Sequence, residues 1–159
     1  MSQEYGPGAG PGPRSLTDEE LSRLLGQQRF GALATNKSSG HPHLSTVLYT
    51  WDPGQRVVRI STIDDRLKVR QLHKDPLSAL YVTSDDFWSY AVAEGEAELS
   101  PVTIEPGDEV GMELLAMQAG LADPADETAF LRQLVADRRL VIRIRVSRLY
   151  GTALPAPSA

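Results

Sequence analysis

The chain has 159 residues, with 16 Lys and Arg against 21 Asp and Glu, a net charge of −5 and no cysteine. A single domain of that length buries roughly two-thirds of its unfolded surface, so it folds without staples. The missing cysteines exclude disulfides, thiolate metal sites and thiol nucleophiles, and the acidic balance argues against nucleic acid as a partner.

No apolar run approaches the length of a membrane span, so no membrane partner is expected. The opening "MSQEYGPGAGPGPR" has neither the basic nor the apolar region of a secretion signal, and a cytoplasmic protein is expected. Residues 1–14 are rich in Gly and Pro and are predicted to form a disordered tail. Residues 152–159, "TALPAPSA", are predicted to form a flexible tail, which leaves 15–151 as the folded domain.

Structure is predicted to begin at "SLTDEELSRLL". Thr17 is a good N-cap and Glu20 completes a capping box, while Leu21, Leu24 and Leu25 form one apolar stripe of a short helix ending near Gln28. The period then changes to two. Strands are predicted over 29–36, 43–51 and 56–62, separated by the turn chemistry of "KSSG" and "DPGQ". "DDRLKVRQLHK" predicts one or two helical turns with Asp64 or Asp65 as the cap, and Pro76 limits their extension. Strands follow over 77–83 and 87–99, with Gly95 as a bulge or point of close approach. Residues 108–119 and 126–136 look helical, and "RLVIRIRVSRLYG" (139–151) alternates apolar with Arg as a half-buried strand does. The fold class is therefore mainly β (α+β), a small closed or partly closed antiparallel barrel with short flanking helices.

Standard nucleotide cradles are absent, since there is neither a Walker A loop nor a G-x-G-x-x-G opening a helix. No metal set is expected, although His41 and His43 share a strand face. Hard chemistry on this chain would belong to a cofactor.

The best cofactor candidate is "STIDDRLKVRQLHKDP" (61–76), which holds two of the three lysines. Ser61 and Thr62 end a strand, and Arg66 and Lys68 follow at the start of a helix, where free backbone N–H groups favour an anion. Positions two apart on a regular helix point nearly opposite ways. Arg66 and Lys68 therefore share a phosphate only if Arg66 lies in the loop or first turn. The other reading is a solvated cationic face paired with Asp64, Asp65 and Asp75. Further along, Trp88 either stacks on a planar ring or belongs to a core or dimer interface. In "HPHLSTVLYTWD", Ser45 and Val47 face one way and Thr46 and Leu48 the other. Their hydroxyls either bond a ligand or are satisfied locally.

Together "FGALATNKSSGHPHLSTVLYTWD", "ISTIDDRLKVRQLHKDPLSALYV", "WSYAVAEGEAEL" and "RLVIRIRVSRLYG" resemble the pyridoxamine 5′-phosphate oxidase-like, flavin-binding split-barrel superfamily. The likeness covers about residues 16–151. The last two segments are similar to the actinobacterial branch that uses the deazaflavin coenzyme F420. The resemblance implies a homodimeric split barrel of about six strands, with cofactor sites at the dimer interface. It places Arg66 and Lys68 on the cofactor phosphate, Ser61 and Thr62 at its edge, and Ser45, Thr46 and Val47 along the ring. Trp88 is implied to come from the other protomer, and Arg70 and Lys74 to meet the coenzyme's acidic tail. Two departures stand out. Thr46 occupies a position where many flavin-binding members carry Pro, and "RVSRLYG" has no histidine of the R-x-H type, which opposes vitamin B6 oxidation.

The activity implied is an F420H2-dependent reductase acting on a conjugated small-molecule substrate. The alternatives are an FMN-binding oxidoreductase of the same fold and a non-catalytic cofactor- or pigment-binding protein.

Overall fold

A computed structural model describes residues 7–8, 10–118, 121 and 123–155. Half of the predicted C-terminal tail (156–159), residues 1–6 and 9 of the N-terminal one, and residue 119 of the predicted helix 108–119 lie outside the described residues.

The first helix, α1 (Asp18–Gln27), starts where its capping chemistry says it should. Thr17 Oγ1 accepts from Glu20 N at 3.2 Å, and Glu20 Oε1 accepts from Thr17 N at 3.2 Å. Arg14 grips the same carboxylate with two bonds of 2.9 Å and, as the largest influence, holds it down to about 2. Leu21, Leu24 and Leu25 are buried, as their stripe predicts.

Strands β2 (Phe30–Asn36), β3 (Pro42–Leu48), β4 (Thr50–Asp52), β5 (Val57–Ile63), β6 (Leu77–Thr83), β7 (Tyr90–Leu99) and β8 (Arg139–Tyr150) form one antiparallel sheet. Their order is β3-β2-β6-β7-β8-β5-β4. The two edge strands, β3 and β4, are halves of the single run predicted over 43–51, parted only at Tyr49. The first half pairs with β2 (Phe30 opposite Leu48) and the second with β5 (Thr50 opposite Arg59). The sheet thus closes on itself through one strand that changes partners, which makes a split barrel of six chain passes.

Tyr49 holds the closure together. Its ring is buried, its N–H donates to Arg29 O at 3.0 Å, and its phenol donates to Leu25 O at 2.5 Å, tying the closing strand to the end of α1. Trp51 Nε1 adds a bond to Ser22 Oγ at 2.9 Å. Inside the barrel Leu33, Val58, Ile60, Leu80, Ala93, Ile142 and Ile144 pack with the stripe of α1 and with Val69 and Leu72 of helix α2 (Leu67–Lys74). Gly95 is both bulge and close approach. The β7–β8 register shifts there, and a Cβ would lie 2.0 Å from Arg145 O.

Helices α3 (Glu109–Ala116) and α4 (Pro124–Ala136) pack on the outer face, where Val110, Leu114, Leu134 and Val141 form a second small core. Glu113 of α3 is clamped between Arg143 of β8 and Arg59 of β5, with bonds of 2.7 and 2.9 Å to Oε2 and a further bond from Arg143 Nη2 to Oε1. Arg143 also donates to Glu98 at 3.0 Å.

Four sequence expectations are corrected. Neither Asp64 nor Asp65 caps α2; Arg66 occupies the N-cap position, without a side-chain cap. Asp64 is drawn away because Arg138 donates to it from Nε and Nη2, at 2.9 and 2.6 Å. Residues 87–88 close a turn rather than start β7, and Ser89 makes an isolated bridge to Ala153. Phe87 has φ 66°, and Asp86 Oδ1 accepts from Ser84 Oγ and Trp88 N, at 2.7 and 3.0 Å. Finally, two ends of the predicted tails are paired. Arg14–Ser15 (β1) runs antiparallel to Thr152–Ala153 (β9), with Ser15 opposite Thr152.

Because the closure rests on one side chain, Tyr49→Phe should lower stability by about 1–2 kcal/mol through the orphaned Leu25 carbonyl. Tyr49→Ala should cost about 3–5 kcal/mol. Urea unfolding measures both, and two variants within error of the wild type would refute this role.

Candidate functional site

Beyond Thr50–Arg59 the β4–β5 ladder stops, and the chain ahead of Thr50 pairs with β2. Continued register would set Leu48 against Ser61 and Thr46 against Ile63. Instead β3 and β5 part there, and the barrel wall is open between them. This split brings two of the sequence-predicted segments, 45–47 and 61–62, to facing edges.

Alternation divides the residues within each segment. On β3, Val47 is buried in the core and Ser45 is half-buried on the same inner side, while Thr46 lies on the outer face between Leu44 and Leu48. On β5, Thr62 is buried and Ser61 faces outward, where Arg139 Nη1 lies 3.4 Å from its Oγ. The alternation expected along β3, with Ser45 and Val47 on one side and Thr46 and Leu48 on the other, is found. A strand presents only alternate residues to a face.

Past the end of β5 come the cations. Arg66, at the N-cap, has extended backbone (φ −70°, ψ 145°) and lies outside the helical repeat, which removes the geometric objection to its acting with Lys68. Lys68 is half-buried. Loss of water and then the charge of Arg66 push its ammonium below its ordinary value. Two of the three nearby carboxylates are engaged elsewhere, Asp64 with Arg138 and Asp75 with Asn36 Nδ2 (3.0 Å) and Leu77 N (3.1 Å), and the exposed Asp65 forms no ion pair among the described residues. Among the described residues none of Arg66, Lys68, Arg70 and Lys74 forms an ion pair. Arg70 and Lys74 lie one turn apart, beside Leu67, in a separate cleft of about 700 Å³ against Lys37 and Ser39 of the β2–β3 turn. The helical period turns them away from Lys68, whose side neighbours the buried Gln71 and Leu72.

Trp88 stands apart within the chain. It is 38 % exposed, at the Tyr150 end of the sheet, held by its own N–H on Asp86 and by Leu154 N donating to its carbonyl at 2.7 Å. The cations follow Ile63, which pairs with Arg139 at the other end of β8. Roughly 35 Å of strand separates those ends. Of the other groups considered, His43 Nδ1 lies 2.9 Å from Gln71 Oε1, which also accepts from Thr35 Oγ1 at 2.6 Å. The Tyr49 phenol is engaged with Leu25 O, and burial pushes it above its ordinary value. Tyr90 stacks on Tyr81 at 5.5 Å.

The structure adds a second cleft, of about 650 Å³, at the narrow end of the split. It lies between the end of α1, the closing strand and the helices α3 and α4. Ser61 is the one sequence-predicted site residue among its described lining residues. Arg29, Arg139, Leu114, Met117 and Phe130 line it with no polar motif in the chain, so only the predicted helices of 108–136 pointed toward them.

These features define a split-barrel protein with two cations, Arg66 and Lys68, beside the opening in its wall. Comparison with known families agrees: the model of the pyridoxamine 5′-phosphate oxidase family matches residues 17–153. The chain belongs to that family. Among solved structures, an F420 reductase is 24 % identical over 84 % of this chain and 98 % of its own, with a TM-score of 0.61. A conserved hypothetical protein of Mycobacterium tuberculosis is 22 % identical over 91 % and 92 %, with a TM-score of 0.69. An FAD-binding protein of Mesorhizobium loti is 18 % identical over 90 % and 99 %, with a TM-score of 0.63. At these identities the likeness shows the fold.

The wall of the second cleft depends on the cap of α3. Burial pushes the Asp108 carboxyl up, but bonds from Thr103 Oγ1 and from the N–H groups of Ile104, Gly111 and Glu105 outweigh it and hold the group at about 2. A depressed carboxylate stabilises fully above its unfolded value, near 4, and that stabilisation is lost as pH falls through about 2. Asp108→Asn should therefore cost about 1 kcal/mol at pH 7 and flatten the fall in Tm between about pH 5 and pH 2. Thermal melts across that window decide it, and an unchanged slope would count against the cap.

Proposed function

We propose that this protein is an F420H2-dependent reductase, acting in the cytoplasm on a conjugated small molecule. The observation that carries the reading is the Arg66–Lys68 pair: two cations, one partly stripped of water, with no carboxylate partner, at the end of the opening. Such an arrangement is costly unless an anion completes it. Similarity in fold to an F420 reductase supports the deazaflavin as the source of that anion. The bound coenzyme would supply the hydride.

The chain supplies position and exclusion of water. Arg66 and Lys68 hold the phosphate, with Ser61 and Thr62 at the β5 edge. Ser45, Thr46 and Val47 border the ring from β3, Thr46 from the outer face and the other two from within. Vitamin B6 oxidation is not proposed, since the closing strand has no histidine. The likeness to an FAD-binding protein favours FMN as the second reading for the same groove.

The protein is proposed to act as a homodimer. Phe30, Leu44, Leu48 and Tyr81 share the outer face of β2, β3 and β6 and are 60, 65, 52 and 45 % exposed, an apolar patch in an otherwise charged molecule. Thr46 lies in that face. A second copy docked there brings its Trp88 to the cofactor, which Trp88 cannot reach within its own chain.

Fluorescence titration with F420 and FMN side by side tests the cofactor. Arg66→Ala with Lys68→Ala should weaken binding of F420 by several kcal/mol, at roughly 1.5–3 kcal/mol per charged hydrogen bond, and unchanged affinity would sink the phosphate site. A yellow preparation as purified would favour FMN. For the dimer, Leu44→Glu should reduce the mass by light scattering from twice 17.3 kDa to one chain, and a wild type that is already monomeric refutes it.

A further inference from the structure

The cleft beneath α3 and α4 has a composition that neither the fold nor the cofactor requires. Its apolar wall is Leu48, Leu114, Met117, Phe130 and Leu134, and its cations are Arg29 and Arg139. No carboxylate is among its described lining residues, in a chain with 21 acidic side chains.

Arg139 is the telling group. Its side chain is 31 % exposed, not far from the 21 % of Arg143. Arg143 is fully engaged, with bonds to both oxygens of Glu113 and one to Glu98. Arg139 has only Ser61 Oγ at 3.4 Å and a loose approach of Nε to Asp137 at 3.8 Å. Among the described residues its Nη2 has no hydrogen bond, and Arg29 forms no ion pair. A partly buried guanidinium is ordinarily matched by a planar bidentate acceptor, which is what a carboxylate offers. The volume, about 650 Å³, lies within the range of small-molecule pockets, which are mostly apolar with a few placed polar groups.

We propose that this cleft binds an apolar carboxylic acid. Its apolar body lies on Leu114, Met117, Phe130 and Leu134, and the carboxylate meets Arg139, with Arg29 nearby. Leu48 and Ser61 belong both to this cleft and to the facing edges of the split, so the bound acid extends toward the cofactor groove. As the substrate class of the reductase this rests on the function proposed above; as a binding site it does not.

The test uses the full chain with cis-parinaric acid, a conjugated fluorescent acid, and its neutral methyl ester. The acid should fill one saturable site per chain. Arg139→Gln should weaken the acid about tenfold or more and leave the ester within about twofold, because only the charged contact is lost. Met117→Trp, which fills the cleft, should weaken both. Should Arg139→Gln fail to fold, the exposed Arg29→Gln carries the same comparison with a smaller loss. The Arg66→Ala, Lys68→Ala variant should bind the acid within about twofold of wild type, so failure of the cofactor site and of the acid site register on different variants. No saturable binding, equal losses of acid and ester, or indifference to Met117→Trp would each overturn the proposal. So would loss of the acid in the Arg66, Lys68 variant.

Discussion

The molecule depends on a single strand changing partners at Tyr49. Up to Leu48 the chain is bound to β2, and from Thr50 it is bound to β5. The β4–β5 ladder ends at Thr50–Arg59, so the edge of β3 away from β2 and the far half of β5 carry no ladder to each other, and the barrel that closes at one end is open at the other. The buried ring and the bond to Leu25 O hold that switch in place and anchor α1 to it. The opening, the facing edges of β3 and β5, and the cleft at the narrow end all follow from it.

A second constraint is how the charges are divided. Most guanidiniums of the β5–β8 surface are matched: Arg59 and Arg143 by Glu113, Arg145 by Glu98, and Arg138 by Asp64. These pairs hold α3 and the α4–β8 turn against the sheet. Asp64 is the instructive case, since binding Arg138 takes it away from Arg66 and Lys68 four residues or fewer along the chain. Arg66 and Lys68 beside the opening form no ion pair among the described residues, nor does Arg29 in the adjoining cleft, where Arg139 has only a loose approach to Asp137. In an acidic protein that distribution is the main chemical statement the surface makes.

Much of this was legible in the chain because its causes are local. The capping box at Thr17, the alternation of 139–151 and the bulge at Gly95 need only near neighbours, and each is found where its pattern placed it. The errors have a common origin. Asp64 looked like a cap because its partner, Arg138, is 74 residues away. Residues 87–88 looked like strand because the Asp86 turn that claims Trp88 uses backbone groups without periodicity. Tails ending at Arg14 and starting at Thr152 looked unpaired because each is the other's partner.

By itself, then, the sequence determined the elements, the mainly β class, the family and the concentration of cations after β5, because each is written in spacing and residue type. Only the tertiary structure decided that β3 and β4 are one strand with two partners, that Thr46 rather than Ser45 takes the outer face, and that Arg139 lines a cleft with no carboxylate among its described lining residues. Those facts depend on which distant groups satisfy one another, and burial settles that only when the whole barrel closes.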